Sequence, residues 1–146
     1  MKYQRAKNRV LLVSNDSTVR ESLGDMLQST GFEVLFAENG ANAVKMLPAD
    51  AINVIILDFQ TPFNAKDVVS GRSLTLEALT DMDPFLPLLL THDPKAELEH
   101  ATLLMADMVL THPVEPLTLL EAIDTLLVET LKERVYRKAG NLAMTR

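Results

Sequence analysis

The chain has 146 residues, a formal net charge of −6, 47% hydrophobic residues and no cysteine. That length suits one domain with an extension, the acidic balance argues against nucleic-acid binding by this segment, and the missing cysteines exclude disulfides, thiolate metal sites and a cysteine nucleophile. No apolar run approaches the roughly 18 residues that span a membrane, and the basic lead over residues 1–8 precedes only a short apolar strand, so a soluble cytoplasmic protein is expected.

The elements alternate along the chain. Val10 to Val13 reads as a short strand, and Ser17 to Ser29 as a helix with Val19, Leu23, Met26 and Leu27 on one face. Asn15 or Asp16 can cap that helix, and Gly31 stops it. Phe32 to Ala37 is a second strand, and Asn39-Gly40 opens a short helix ending near Pro48. Ala51 to Leu57 is a third strand, followed by a loop from Phe59 to Asp67 and a helix over Val68 to Leu79. Leu86 to Leu90 is a fourth strand. Asp93-Pro94 reads as a cap plus first-turn proline, giving a helix to about Met105. Met108 to Thr111 is a fifth strand. Glu115-Pro116 then opens the longest helix, to about Lys138, with a frayed tail after Gly140. Strands alternating with helices predict an α/β fold, a doubly wound five-stranded parallel sheet with helices on both faces and an extended C-terminal helix.

Asp58 is the most informative residue. The uncharged, β-branched run before it reads as a strand buried on both faces. An isolated charge is costly to bury, so the carboxylate should emerge at the carboxyl edge of the sheet, where open α/β sheets bind ligands. The plainer reading is a turn cap. Other polar residues follow strand ends: Ser14, Asn15 and Asp16 after the first, Thr91 and His92 after the fourth, Thr111 and His112 after the fifth. In a parallel sheet these ends share one edge.

With those residues in place, the chain resembles the receiver domain of two-component response regulators over about Arg9 to Leu127. The stretches that carry the likeness are Arg9-Val10-Leu11-Leu12-Val13, Val19-Arg20-Glu21, Gly31-Phe32-Glu33-Val34, Val54-Ile55-Ile56-Leu57-Asp58 with Pro62, and Ala106-Asp107 leading to Leu110-Thr111-His112-Pro113-Val114. The resemblance implies a flavodoxin-like sheet of order 2-1-3-4-5 and a signalling role without enzymatic turnover. It puts Asp58 at the phosphoacceptor position, Thr91 and Val109 at the two switch positions, and the Gln60 carbonyl at a metal-facing position. It also implies a histidine kinase or another signalling protein as partner.

The departures set the expected behaviour. The acidic pair that holds Mg²⁺ in the family reads Ser14 and Asn15, the lysine position reads His112, and the switch aromatic is Val109. Mg²⁺ is a hard cation that relies on carboxylates. Two unit charges about 4 Å apart at an effective dielectric near 20 interact by roughly 4 kcal/mol, and about 1.4 kcal/mol is tenfold in affinity. Weak or absent Mg²⁺ binding is expected, with Asp16, Asp58 and Gln60 as the remaining candidate ligands, and slow or absent phosphorylation of Asp58. Asp16 more simply caps the first helix. His112 stands in for a lysine only when protonated.

Three functions follow: an atypical receiver acting through protein–protein contacts, a competent phosphoacceptor controlling an output module, and a zinc-type site from His92, His112 and Asp58 or Asp93. The residues divide into the basic lead over 1–8, a receiver-like domain over 9–128 and a helical extension and tail over 129–146. Leu117, Leu120, Ile123, Leu127, Leu131 and Val135 recur at helical spacing past the length the sheet needs. Leu131, Val135 and Tyr136 therefore predict a homodimer through the last-helix face, or a connector to an output module.

Overall fold

Short apolar runs become the strands, and the amphipathic stretches between them pack on both faces of the sheet. The computed structural model describes residues 5, 8–49 and 51–144. In chain order these form β1 (Arg9–Val13), α1 (Ser17–Ser29), β2 (Glu33–Ala37), α2 (Gly40–Ala49), β3 (Val54–Asp58) and α3 (Leu74–Met82). Then come β4 (Leu88–His92), α4 (His100–Met105), β5 (Met108–Thr111), α5 (Pro116–Val128) and α6 (Leu131–Met144). All pairings are parallel and the strand order is β2-β1-β3-β4-β5. The sheet is thus the doubly wound, flavodoxin-like sheet expected, and its order reverses beside β1, where such folds place their sites.

Alternation along each strand builds two apolar layers. Val10, Leu12, Val54 and Ile56 face α1 and α5, meeting Leu23, Leu27, Leu119 and Ile123. Leu11, Val13, Ile55 and Leu57 face the opposite way, toward Ala43, Leu76, Leu79 and Ala106. Central β3 is buried along its whole length. α1 ends as anticipated at Gly31, whose φ of 105° suits a residue without a side chain.

Three expected helices differ. The helix expected over Val68 to Leu79 starts only at Leu74, with Ser73 Oγ accepting the Leu76 N–H at 3.1 Å. The helix expected from Asp93 starts at His100. One group accounts for both. The Gly71 carbonyl accepts Glu99 N–H at 2.8 Å and Thr102 Oγ1–H at 3.2 Å, so neither Gly71 nor Glu99 is free for an earlier helical turn. A side chain at Gly71 would meet Glu99 Cγ at 3.1 Å and the Glu97 carbonyl at 3.2 Å.

The single long helix from Glu115 to Lys138 is instead two helices, broken at Glu129, whose ψ of 132° is extended. Thr130 then restarts the chain in a capping box. Its Oγ1 accepts Glu133 N–H at 3.1 Å, and Glu133 Oε1 accepts Thr130 N–H at 3.2 Å. The buried stripe of α5 is Leu119, Ala122, Ile123 and Leu126, whereas Leu117, expected on that stripe, is 71% exposed. Helix runs past Gly140 to Met144 rather than fraying there, and residues 145 and 146 lie outside the described residues. Most of the basic lead also lies outside them; Arg5 pairs with Asp124 at 2.8 Å.

α6 turns back beneath the amino edge of the sheet. Lys138 Nζ donates to the carbonyls of Pro84 and Leu86 at 2.8 and 3.1 Å, just ahead of β4, and lies 3.2 Å from Asp107. Arg137 bridges Asp107 and Glu129. The Asp107 side chain is only 2% exposed and also accepts Leu88 N–H at 2.6 Å. Hydrogen bonds from Arg137, and secondarily Arg134, hold Glu129 below the usual carboxylate range. Burial pushes the Lys138 ammonium down against the opposing pull of Asp107.

Loss of these contacts should be measurable. Arg137→Ala is expected to lower unfolding free energy by about 1–3 kcal/mol, the scale of charge-assisted hydrogen bonds, read as a shifted urea midpoint. Glu129 titrates lower folded than unfolded, so its contribution is complete above about pH 4.3 and is lost as pH falls through the lower folded value. Glu129→Gln should therefore flatten the acid limb of the stability profile relative to the parent.

Candidate functional site

A buried carboxylate needs donors, and the sheet's carboxyl edge supplies them from three other strands. Asp58 is the last residue of β3, with 5% of its surface exposed, and pairs in register with Thr91 of β4. Ser14 Oγ, just past β1, donates to its Oδ2 at 3.2 Å. Thr91 Oγ1 donates to Oδ1 at 3.4 Å. His112 Nε2, just past β5, lies 3.3 Å from Oδ1. The edge thus brings Ser14, Asp58, Thr91 and His112 together, as the strand-end pattern implied, with Asp58 closing the strand rather than following it.

Other candidates are placed differently. Asp16 caps α1: its Oδ1 accepts Thr18 and Val19 N–H at 2.9 and 3.4 Å. Its own N–H donates to Ser14 Oγ at 3.1 Å. Asn15 has an exposed side chain, and its N–H donates to Thr61 Oγ1 at 3.3 Å. Val109 pairs with Leu90 in β5 and joins the apolar layer. Gln60 lies on the rim of a cavity of about 700 Å³ over Asp58. Asn15, Asp16, Asp93, Lys95 and His112 also line it.

The zinc-type alternative does not assemble. His92 Nδ1 contacts the Asp93 carbonyl at 2.8 Å and its Nε2 lies 3.4 Å from Thr111 Oγ1, while His112 faces Asp58. Among the described residues no group of three His, Cys, Asp or Glu side chains is placed to hold a metal ion. The donor set also fits Mg²⁺ poorly. Asp58 is the one buried carboxylate of the cavity, Asp16 is engaged in capping, and the two residues directly after β1, Ser14 and Asn15, offer a hydroxyl and an amide.

Two residues escaped the sequence reading as site members. Arg20 Nη1 donates to the Ser14 carbonyl at 2.6 Å, reaching from the first turn of α1 over the end of β1. Its place four residues past the Asp16 cap was the available signal. Lys95 sits on the cavity lining because residues 95–99 do not continue a helix away from the edge. No sequence signal marks that change of path.

Comparison with known proteins agrees with this geometry. The family model described as the response regulator receiver domain matches residues 10–124. The protein PilH of Pseudomonas aeruginosa is 30% identical over 119 residues, covering 82% of this chain and 97% of PilH. Longer relatives match too, and the chain spans 23% and 26% of the length of two of them. A receiver domain structure from Clostridium thermocellum superposes with a TM-score of 0.69 at 22% identity, covering 82% of this chain and 94% of the other. The response regulator TrrA of Thermotoga maritima, solved with Mg²⁺ and BeF, gives 0.65 at 24% identity, covering 82% and 99%.

If Asp16 serves α1 as its cap, Asp16→Ala should cost about 1 kcal/mol, with Asp16→Asn recovering most of it. Urea unfolding of the three proteins checks this. An unchanged midpoint in Asp16→Ala would reassign the carboxylate to the cavity.

Proposed function

The chain belongs to the response regulator receiver domain family and is a receiver of two-component signalling; from that premise we propose an atypical receiver in which Asp58 is a slow phosphoacceptor, weakly served by Mg²⁺, and output passes through protein–protein contacts. The observation that carries this reading is the hydrogen-bond shell of Asp58. Hydroxyls from Ser14 and Thr91 and the imidazole of His112 already occupy its carboxylate oxygens. That shell stabilises the unmodified state, and Ser14 and Asn15, which follow β1 beside it, bring no carboxylate to draw Mg²⁺ from its hydration. Phosphoryl transfer depends on neutralising the transferring group, so this arrangement slows it.

The partner is a histidine kinase or another signalling protein, in the cytoplasm; no described helix is long and apolar enough to cross a membrane. The last-helix face provides for a homodimer. Leu131 and Tyr136 are 64% and 71% exposed on α6, and Val128 at the end of α5 is 56% exposed. Isologous pairing through such a face is the simplest closed assembly.

Intact mass after incubation with Mg²⁺ and acetyl phosphate tests the phosphoacceptor. A slow gain of one phosphoryl group is expected, absent in Asp58→Asn and at least about tenfold faster when Ser14→Asp and Asn15→Asp are combined, given the attraction two carboxylates add. A parent rate equal to the double variant's would overturn the reading. In the same assay His112→Lys should equal or exceed the parent at neutral pH, because an ammonium stays charged where imidazole does not.

Sedimentation addresses the dimer. The full chain should associate at high micromolar concentration, and Leu131→Glu with Tyr136→Glu should return it to monomer. A parent that stays monomeric throughout removes the homodimer from this proposal.

A further inference from the structure

We infer that Lys95, in the loop between β4 and α4, is the cation that neutralises a phosphoryl group carried by Asp58. This rests on the phosphoacceptor reading above and adds to it a residue at a place where the family's lysine does not stand.

The cavity over Asp58 has an unbalanced lining. Asp16, Asp58 and Asp93 contribute three carboxylates, and Lys95 is the one lysine or arginine among its lining residues. A phosphoryl group brings a further charge near −2 and three strong acceptor oxygens. Without a cation, that charge is held against two neighbouring carboxylates in a partly enclosed space. His112 cannot provide a standing charge, because imidazole is cationic only when protonated, and its Nε2 is already directed at Asp58 Oδ1. Lys95 has what is required. Its N–H is fixed by Asp93 Oδ1 at 2.8 Å, and the turn is closed by Ala96 N–H on the Asp93 carbonyl at 3.0 Å. Its side chain is exposed at the rim, and it forms no salt bridge among the described residues. The ammonium is therefore uncommitted, on a long flexible stem, on the lining of the cavity that Asp58 also lines.

The step itself is balanced without further reactants. A carboxylate oxygen of Asp58 attacks the phosphorus of acetyl phosphate, an O–P bond forms, and the bond to the acetyl oxygen breaks. Acetate leaves with the electron pair. Lys95 donates hydrogen bonds to the phosphoryl oxygens as their charge transfers and takes up no proton.

Two measurements on the full chain test this. The first is the rate of Asp58-dependent mass gain with acetyl phosphate and Mg²⁺. The second is binding of fluoroberyllate with Mg²⁺, followed by amide shifts at Asp58 and Thr91, which needs no phosphoryl transfer. Lys95→Gln is expected to slow the first and weaken the second by about tenfold each, the scale of one charge acting at short range. Lys95→Arg should stay within about twofold of the parent. Lys66→Gln, an equal charge change in the exposed β3–α3 loop and off the cavity lining, should leave both unchanged. A Lys95→Gln protein matching the parent in both assays overturns the role of Lys95 and leaves the phosphoacceptor reading standing. A parent with no mass gain overturns that reading instead. The fluoroberyllate assay then decides Lys95 alone: weaker binding in Lys95→Gln upholds it, and absent or unaltered binding overturns it.

Discussion

A carboxylate held almost out of water at the end of the central strand is the constraint from which the rest of the site follows. Asp58 is almost wholly buried, so its oxygens need donors from the protein. A parallel sheet gathers the ends of β1, β4 and β5 around the end of β3, and each gives one group: a serine hydroxyl, a threonine hydroxyl and an imidazole. Topology is thereby converted into solvation. The order reversal beside β1 leaves open space above these groups, and that space becomes the cavity.

The opposite edge repeats the problem with a different solution. The side chain of Asp107 is as deeply buried as that of Asp58, but it meets a guanidinium and an ammonium from α6 and a backbone N–H from β4. Permanent cations suit a structural junction, since breaking a buried pair leaves an uncompensated charge. Asp58 instead meets two neutral hydroxyls and an imidazole. The two edges thus solve one problem in two ways: one carboxylate is held by cations from a helix, and the other by single contacts from three strand ends.

Much of this was legible in the residues. The five strands and their shared edge followed from short apolar runs alternating with helical spacing, and Asp58, Thr91, Ser14 and His112 were visible because each follows such a run. Where the reading erred, a competing local bond won. Residues 68–73 and 93–99 have helical composition in part, yet Gly71 and Glu99 spend their backbone groups on each other. That pairing joins segments far apart in sequence, so no window of residues contains it. The break after Val128 differs in kind. Thr130 and Glu133 stand at capping-box spacing, a signal present in the chain but outweighed by the continuous recurrence of Leu127, Leu131 and Val135. Lys95 was invisible for the same reason as Gly71: its place on the cavity depends on a helix that does not form.

The Gly71 carbonyl has a mechanical meaning. One oxygen carries the amide of Glu99 and the hydroxyl of Thr102, so it pins the β3–α3 loop to the start of α4. Both segments leave the strands whose ends hold Asp58 and Thr91. A shift in either cannot be absorbed locally; it must drag the other along or break two bonds at once. The outer wall on that side of the sheet is therefore one joined panel rather than two independent loops.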